Sequence, residues 1–91
     1  MSRLSLHTYK FSVEAAEDYR YWRKTDVKTL RRINALILDA LKTPFAGLGK
    51  PEPLKHELSG IWSRRIDKEH RLLYRIADDE LQVISCRYHY K

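Results

Sequence analysis

RLLYRIADDELQVISCRYHY, residues 71–90, is the stretch that decides the fold. Side chains of an extended chain point alternately to opposite faces, so Arg71 and Arg75 oppose Leu72, Tyr74 and Ile76. Farther on, Arg87 and His89 alternate with Cys86, Tyr88 and Tyr90. Asp78-Asp79-Glu80 between the two runs is short enough for an antiparallel hairpin. The spacing therefore predicts strands over Arg71 to Ala77 and Leu81 to Tyr90. Working outward, Ile61 to Ile66 is a third strand, with Ser63 and Arg65 on its polar side and Trp62 and Ile66 inward. Leu54 to Leu58 is a fourth, and Ser59-Gly60 and Asp67 to His70 supply the turns.

The first half of the chain has a different period. Leu4 to Phe11 alternates loosely, as a first strand would. Ser12 suits the N-cap of a helix running to about Arg23, with Glu14 and Glu17 near its positive end and Ala15, Tyr19 and Trp22 on one face. Thr25-Asp26 breaks and caps again. Val27, Leu30, Ile33, Ile37 and Leu41 form the stripe of a second helix, which Thr43-Pro44 stops because the residue before proline disfavours helical geometry. Phe45 to Pro53 is loop. The expected architecture is α+β: one domain over residues 1–91, with two N-terminal helices packed on one face of a twisted antiparallel β-sheet. The other face, carrying Arg65, Arg71, Arg75, Arg87 and His89, stays open.

Composition narrows the partners. The chain of 91 residues holds 18 Lys and Arg against 12 Asp and Glu, a net charge of +6 that favours nucleic acid or an acidic protein partner. The single Cys86 excludes an internal disulfide and fits a reducing cytoplasm. Arg3, His7 and Lys10 interrupt the only apolar candidate for a leader or membrane span.

The open face suits cleavage of RNA by its own 2′-hydroxyl. That reaction needs a base for the hydroxyl, an acid for the departing 5′-oxygen and cations for the pentacoordinate phosphate, with no metal and no cofactor. His89 is the natural acid, since imidazole titrates near neutrality and phosphate favours its protonated form. Glu52, in Lys50-Pro51-Glu52-Pro53, is the natural base, its backbone restrained by the flanking prolines. Arg71 and Arg65 grip the phosphate, with Lys55 adjoining. Lys28, Arg31 and Arg32, on the outer side of the second helix, suit contact with nucleic-acid phosphates. Each residue also has a plainer role: a solvated carboxylate, an exposed histidine, ordinary sheet charges. His56 and His70 have no partner at metal-ligand spacing and read as structural or exposed, and Trp62 shares the inward parity of Ile66.

A family resemblance weighs on that choice. Thr43-Pro44-Phe45, Gly49-Lys50-Pro51-Glu52-Pro53-Leu54-Lys55-His56, Leu58-Ser59-Gly60, Trp62-Ser63-Arg64-Arg65-Ile66, Glu69-His70-Arg71-Leu72 and Cys86-Arg87-Tyr88-His89-Tyr90 resemble the YoeB family of toxins in the RelE-like superfamily. Asp18-Tyr19, Tyr21-Trp22 and Thr25-Asp26 extend the likeness to about residues 9 to 90. The resemblance implies a RelE-like, microbial-ribonuclease-like fold. It also implies a toxin of a bacterial type II toxin-antitoxin pair that cuts mRNA in the ribosomal A site. By the same resemblance Glu52 is the general base, Arg71 the transition-state stabiliser and His89 the general acid. Arg65 and Lys55 lie near the scissile phosphate, and Tyr90 is the family's final aromatic. The implied partners are the ribosome, mRNA, a YefM-like antitoxin with an acidic segment that folds on binding, and a second copy of the chain. About six residues precede the family-like start, and Lys91 follows Tyr90. Two rival readings keep the same fold: a ParE-like gyrase inhibitor, and a non-catalytic RNA-binding module for which His89 is dispensable.

Overall fold

The computed structural model describes residues 6–88; His89, Tyr90 and the strand start expected at Leu4 lie outside the described residues. The chain runs β1 (Tyr9–Phe11), α1 (Val13–Thr25), α2 (Val27–Lys42), β2 (Glu52–Pro53), a short 3-10 turn (His56–Leu58), β3 (Trp62–Arg65), β4 (Arg71–Ala77) and β5 (Glu80–Ser85). The five strands form one sheet in the order β1-β5-β4-β3-β2. The expected helices on an antiparallel sheet are present: β2 through β5 pair antiparallel, and β1 adds an edge strand parallel to β5.

Local chemistry sets the boundaries. The Ser12 hydroxyl accepts the Ala15 amide at 3.0 Å and donates to the Ile84 carbonyl at 2.8 Å, so one side chain caps α1 and ties it to β5. Asp26 closes α1 through its amide and caps α2 through its carboxylate, which accepts from the Thr29 amide and hydroxyl; these bonds hold it below the usual carboxylate range. α2 ends at Thr43, ahead of Pro44. The Asp78-Asp79 loop of the β4–β5 hairpin takes left-handed φ at both residues, as a two-residue turn matched to the sheet twist requires.

The core lies between the helices and one sheet face. Ala15 and Trp22 of α1 and Ile33, Leu36, Ile37 and Ala40 of α2 meet Ile66, Leu72, Tyr74, Leu81 and Val83. Val27, expected on the apolar stripe, is exposed, because the stripe begins in earnest a turn later. No described helix is long and apolar enough to cross a membrane.

Two expected strands change. Leu54 to Leu58 forms no strand; its last three residues make the 3-10 turn, and the pairing is made instead by Glu52–Pro53. The strand expected to run from Leu81 to Tyr90 stops at Ser85. There the Asp18 carboxylate accepts the Cys86 amide at 3.0 Å, and the Trp22 indole donates to the Cys86 carbonyl at 2.8 Å. With both backbone groups of Cys86 taken by α1, no ladder bond is left to continue the strand.

Candidate nucleic-acid interface

Register decides which side chains share the open face. Directly opposed residues of an antiparallel pair project to the same side. Glu52 pairs with Ser63, Ser63 with Leu73, and Leu73 with Ser85, giving one row across four strands; Arg65 opposite Arg71 forms the next. Trp62, Arg64 and their partners Tyr74 and Leu72 take the helix side. Glu52, Arg65 and Arg71 are thus brought to one surface, with Lys55 exposed nearby in the loop after β2. A cleft of about 330 Å³ is lined by Glu52 through Leu58.

This face holds polar groups without partners. The buried Ser63 hydroxyl and the buried Nε of Arg71 have no hydrogen-bond partner among the described residues. The described ion pairs are Lys10–Glu80, Arg64–Asp39 and His70–Glu69, so neither Arg65 nor Arg71 is neutralised by a described carboxylate. A row of cations with unused donors is suited to a bound anion.

An arginine passed over in the sequence pattern builds this edge. Arg64 is fully buried and spends its donors on five contacts: the Tyr74 hydroxyl at 2.9 Å, Asp39 Oδ2 at 2.7 Å, and the carbonyls of Leu48, Thr43 and Ala46 at 3.1, 2.6 and 2.9 Å. Asp39 also accepts the Leu48 amide at 2.9 Å. The Arg64 hydrogen bond, then the Leu48 amide, holds the Asp39 carboxyl below its usual range. This network fixes the loop from α2 to β2, which Gly49 brings against β3. Its carbonyl accepts the Arg65 amide at 2.7 Å, its φ is +80°, and a Cβ there would lie 2.8 Å from Leu36 Cδ2. Lys50 and His56, at φ of 51° and 60°, flank β2 in the left-handed region. Glu52 therefore leaves a braced loop, on a proline-flanked edge strand where missing amide donors cost no ladder bond.

The other expected residues divide between the placements expected and new ones. Arg87 is not on the open face: the strand has ended, and its guanidinium stacks 3.5 Å over the Tyr21 ring of α1. Ser63 does lie on the open side but is buried, and Arg75 is bonded to Gln82 at 2.9 Å. Lys28 and Arg31 are exposed on α2, whereas Arg32 turns toward the sheet and donates to the Arg65 carbonyl at 3.1 Å. Trp62 packs on Phe45 with ring centroids 4.8 Å apart, consistent with its inward parity. Cys86 is fully buried and its thiol is pushed up to about 12, chiefly by burial, leaving it unreactive.

This geometry coincides with a family match: residues 11–90 fit the model of the YoeB-like toxin of bacterial type II toxin-antitoxin systems. The chain belongs to the YoeB family. It is 58% identical to the toxin YoeB of Escherichia coli over 80 residues, 88% of this chain and 95% of the relative. Its fold matches a YoeB/ParE toxin from Agrobacterium tumefaciens with a TM-score of 0.91 at 48% identity, over 92% of this chain and 100% of the other. It also matches the toxin of a heterotetrameric YoeB–YefM toxin-antitoxin complex from Staphylococcus aureus (TM-score 0.84, 43% identity) and a YoeB dimer from the same organism (TM-score 0.85, 43% identity). Both of those alignments cover 91% of this chain and 97% of the other. The YoeB family resemblance carried by the Pro51-Glu52-Pro53 and Trp62 to Ile66 motifs is thereby established.

Proposed function

We propose that this YoeB-family toxin is a ribosome-dependent endoribonuclease that cuts mRNA in the A site without a metal. The observation that carries the reading is the shared face of Glu52, Arg65 and Arg71, two of them cations unpaired with any described carboxylate. Glu52 takes the proton from the 2′-hydroxyl as its oxygen attacks phosphorus. Arg71 and Arg65 stabilise the charge that builds on the non-bridging oxygens, and Lys55 holds the neighbouring backbone. The bond to the 5′-oxygen breaks as that oxygen takes a proton from His89, leaving a 2′,3′-cyclic phosphate and a 5′-hydroxyl. Tyr90 contributes a further RNA contact. Like the Staphylococcus aureus relatives, the chain pairs with a YefM-like antitoxin and with a second copy of itself.

The test is primer extension on an mRNA translated in a purified cell-free system, with and without the protein. Cleavage within the A-site codon, abolished by 2′-deoxyribose at the scissile nucleotide, is expected. A deoxy substrate cut as fast as RNA sinks the internal-hydroxyl mechanism. Intact mRNA accompanied by inhibited gyrase supercoiling would favour a ParE-like activity instead.

A further inference from the structure

His70 has no part in the chemistry just described, yet it is buried and engaged. Its turn is fixed from below: the Asp67 carboxylate accepts the amides of Glu69 at 2.8 Å and His70 at 2.7 Å, and the His70 carbonyl accepts the Ile66 amide at 3.0 Å. The imidazole stands edge-on to Trp22, centroids 4.8 Å apart, and only 8% of the residue is exposed. From that position Nδ1 accepts the Tyr88 amide at 2.6 Å. The next residue, Arg71, donates its own amide to the Tyr88 carbonyl at 3.1 Å. Adjacent residues thus hold both backbone polar groups of Tyr88, which sits at φ 66°, in a region that L-residues with side chains seldom adopt.

The chemistry of the ring makes this bond specific. Accepting at Nδ1 requires a free lone pair there, so the neutral ring carries its proton on Nε2. Nε2 lies 3.6 Å from Glu69 Oε1, a carboxylate on the side where that proton points. The bond at Nδ1 selects one tautomer of the neutral ring. A residue serving only to fill space beside Trp22 needs no such acceptor.

We propose that His70 is a positioning residue for cleavage: its Nδ1 anchors the Tyr88 amide, and the Tyr88 carbonyl so held fixes the backbone from which Arg71 reaches the phosphate. The proposal rests on the ribonuclease reading. Asp18 and Trp22, which hold Cys86, make the other half of the clamp. Arg71 belongs to both structures, since its amide holds Tyr88 and its guanidinium faces the open side. A shift in the clamp therefore displaces Arg71 within the phosphate grip.

The experiment compares His70→Phe, which keeps a ring against Trp22 but deletes the acceptor, with His70→Asn, whose amide oxygen falls near the Nδ1 position. Cleavage on programmed ribosomes is measured as kcat and KM separately, beside thermal midpoints. His70→Phe is expected to lower kcat by about tenfold to 100-fold, since small misplacements of reacting groups carry costs of that order, with KM little changed. His70→Asn should recover most of the loss. Parent activity tests the ribonuclease reading; the ratio of variant to parent tests His70. Phe and Asn variants that lose kcat equally, or a Phe variant as active as the parent, would overturn the proposal. A further measurement needs no variant. Nitrogen-15 shifts of the His70 ring in the whole protein should report an unprotonated Nδ1, and a proton on Nδ1 would also overturn it.

Discussion

Arg65 and Arg71 are direct register partners on β3 and β4, two like charges projecting from one sheet face with no described carboxylate between them. Like charges directly opposed destabilise a sheet pair by roughly 0.2 to 1 kcal/mol. Such an arrangement makes sense where an anion is to be bound. Arg65→Ser is therefore expected to leave stability unchanged or raise it by up to about 1 kcal/mol, while weakening cleavage. Arg71→Ala should lower kcat by about 100-fold or more, as expected when a donor to a charged transition state is removed. Urea unfolding and ribosome cleavage on the same preparations provide the check. A variant that loses stability in step with activity would show these arginines to be structural.

The Arg64–Asp39 pair makes a pH prediction. Asp39 is held below the ordinary carboxylate range, first by the Arg64 hydrogen bond and then by the Leu48 amide. Folding therefore favours its ionised form. Its contribution is complete above the ordinary carboxylate pKa, near pH 4, and is lost as pH falls through the lowered folded value. Asp18 is shifted upward, chiefly by burial and against the Cys86 hydrogen bond, so it opposes this trend. Asp39→Asn should cost about 1.5 to 3 kcal/mol at neutral pH, the range for hydrogen bonds to charged groups. The difference from the parent should shrink on acidification. Parallel curves for the two proteins from pH 7 to pH 3 would rule out Asp39 as the acid-sensitive group.

The helices and the central hairpin were legible because their signals are local: Ser12 and Asp26 as caps, Pro44 as stop, alternation from Arg71 to Ala77. The failures share a physical cause. Arg64 has the same inward parity as Trp62 and Ile66, which was the available signal, but burying a guanidinium depends on Asp39 and three loop carbonyls that no pattern brings together. The end of β5 is set by side chains more than sixty residues away, Asp18 and Trp22. Leu54 and Leu58 suggested a strand, yet their spacing equally suits a tight helical turn. Of the candidate site, Arg65 and Arg71 share a face as expected, Glu52 joins them from a short strand where a loop was expected, and Arg87 departs to Tyr21. His89 and Tyr90 lie outside the described residues.

The outer surface of α2 separates two roles that the sequence grouped together. Lys28 and Arg31 are exposed, whereas Arg32 holds the Arg65 carbonyl. Contacts to phosphate position a protein without reading sequence. Reversing Lys28 and Arg31 to Glu should raise KM for ribosomes several-fold and leave kcat and codon choice alone, whereas Arg32→Glu should also lower kcat by disturbing β3. Sedimentation with ribosomes, run beside the kinetics, tests this. A Lys28, Arg31 double variant that cosediments as well as the parent removes this helix from the interface.

Antitoxin and mRNA should compete for the open face. An acidic segment of a YefM-like partner laid across Arg65 and Arg71 would meet the same unpaired cations that the phosphate requires, so the complex should be inactive even with ribosomes in excess. Those charge contacts weaken as salt screens them, the Debye length being about 8 Å at physiological ionic strength. Part of the affinity should survive high salt, because a segment that folds on binding also buries apolar side chains. The measurement is titration of the antitoxin into the ribosome cleavage assay, paired with binding to an Arg65→Ala, Arg71→Ala double variant across a salt series. The double variant should bind more weakly and with a shallower salt dependence than the parent. Full neutralisation of the parent, with unchanged affinity for the double variant, would mean that the antitoxin acts elsewhere, by distorting the site or by blocking entry to the ribosome.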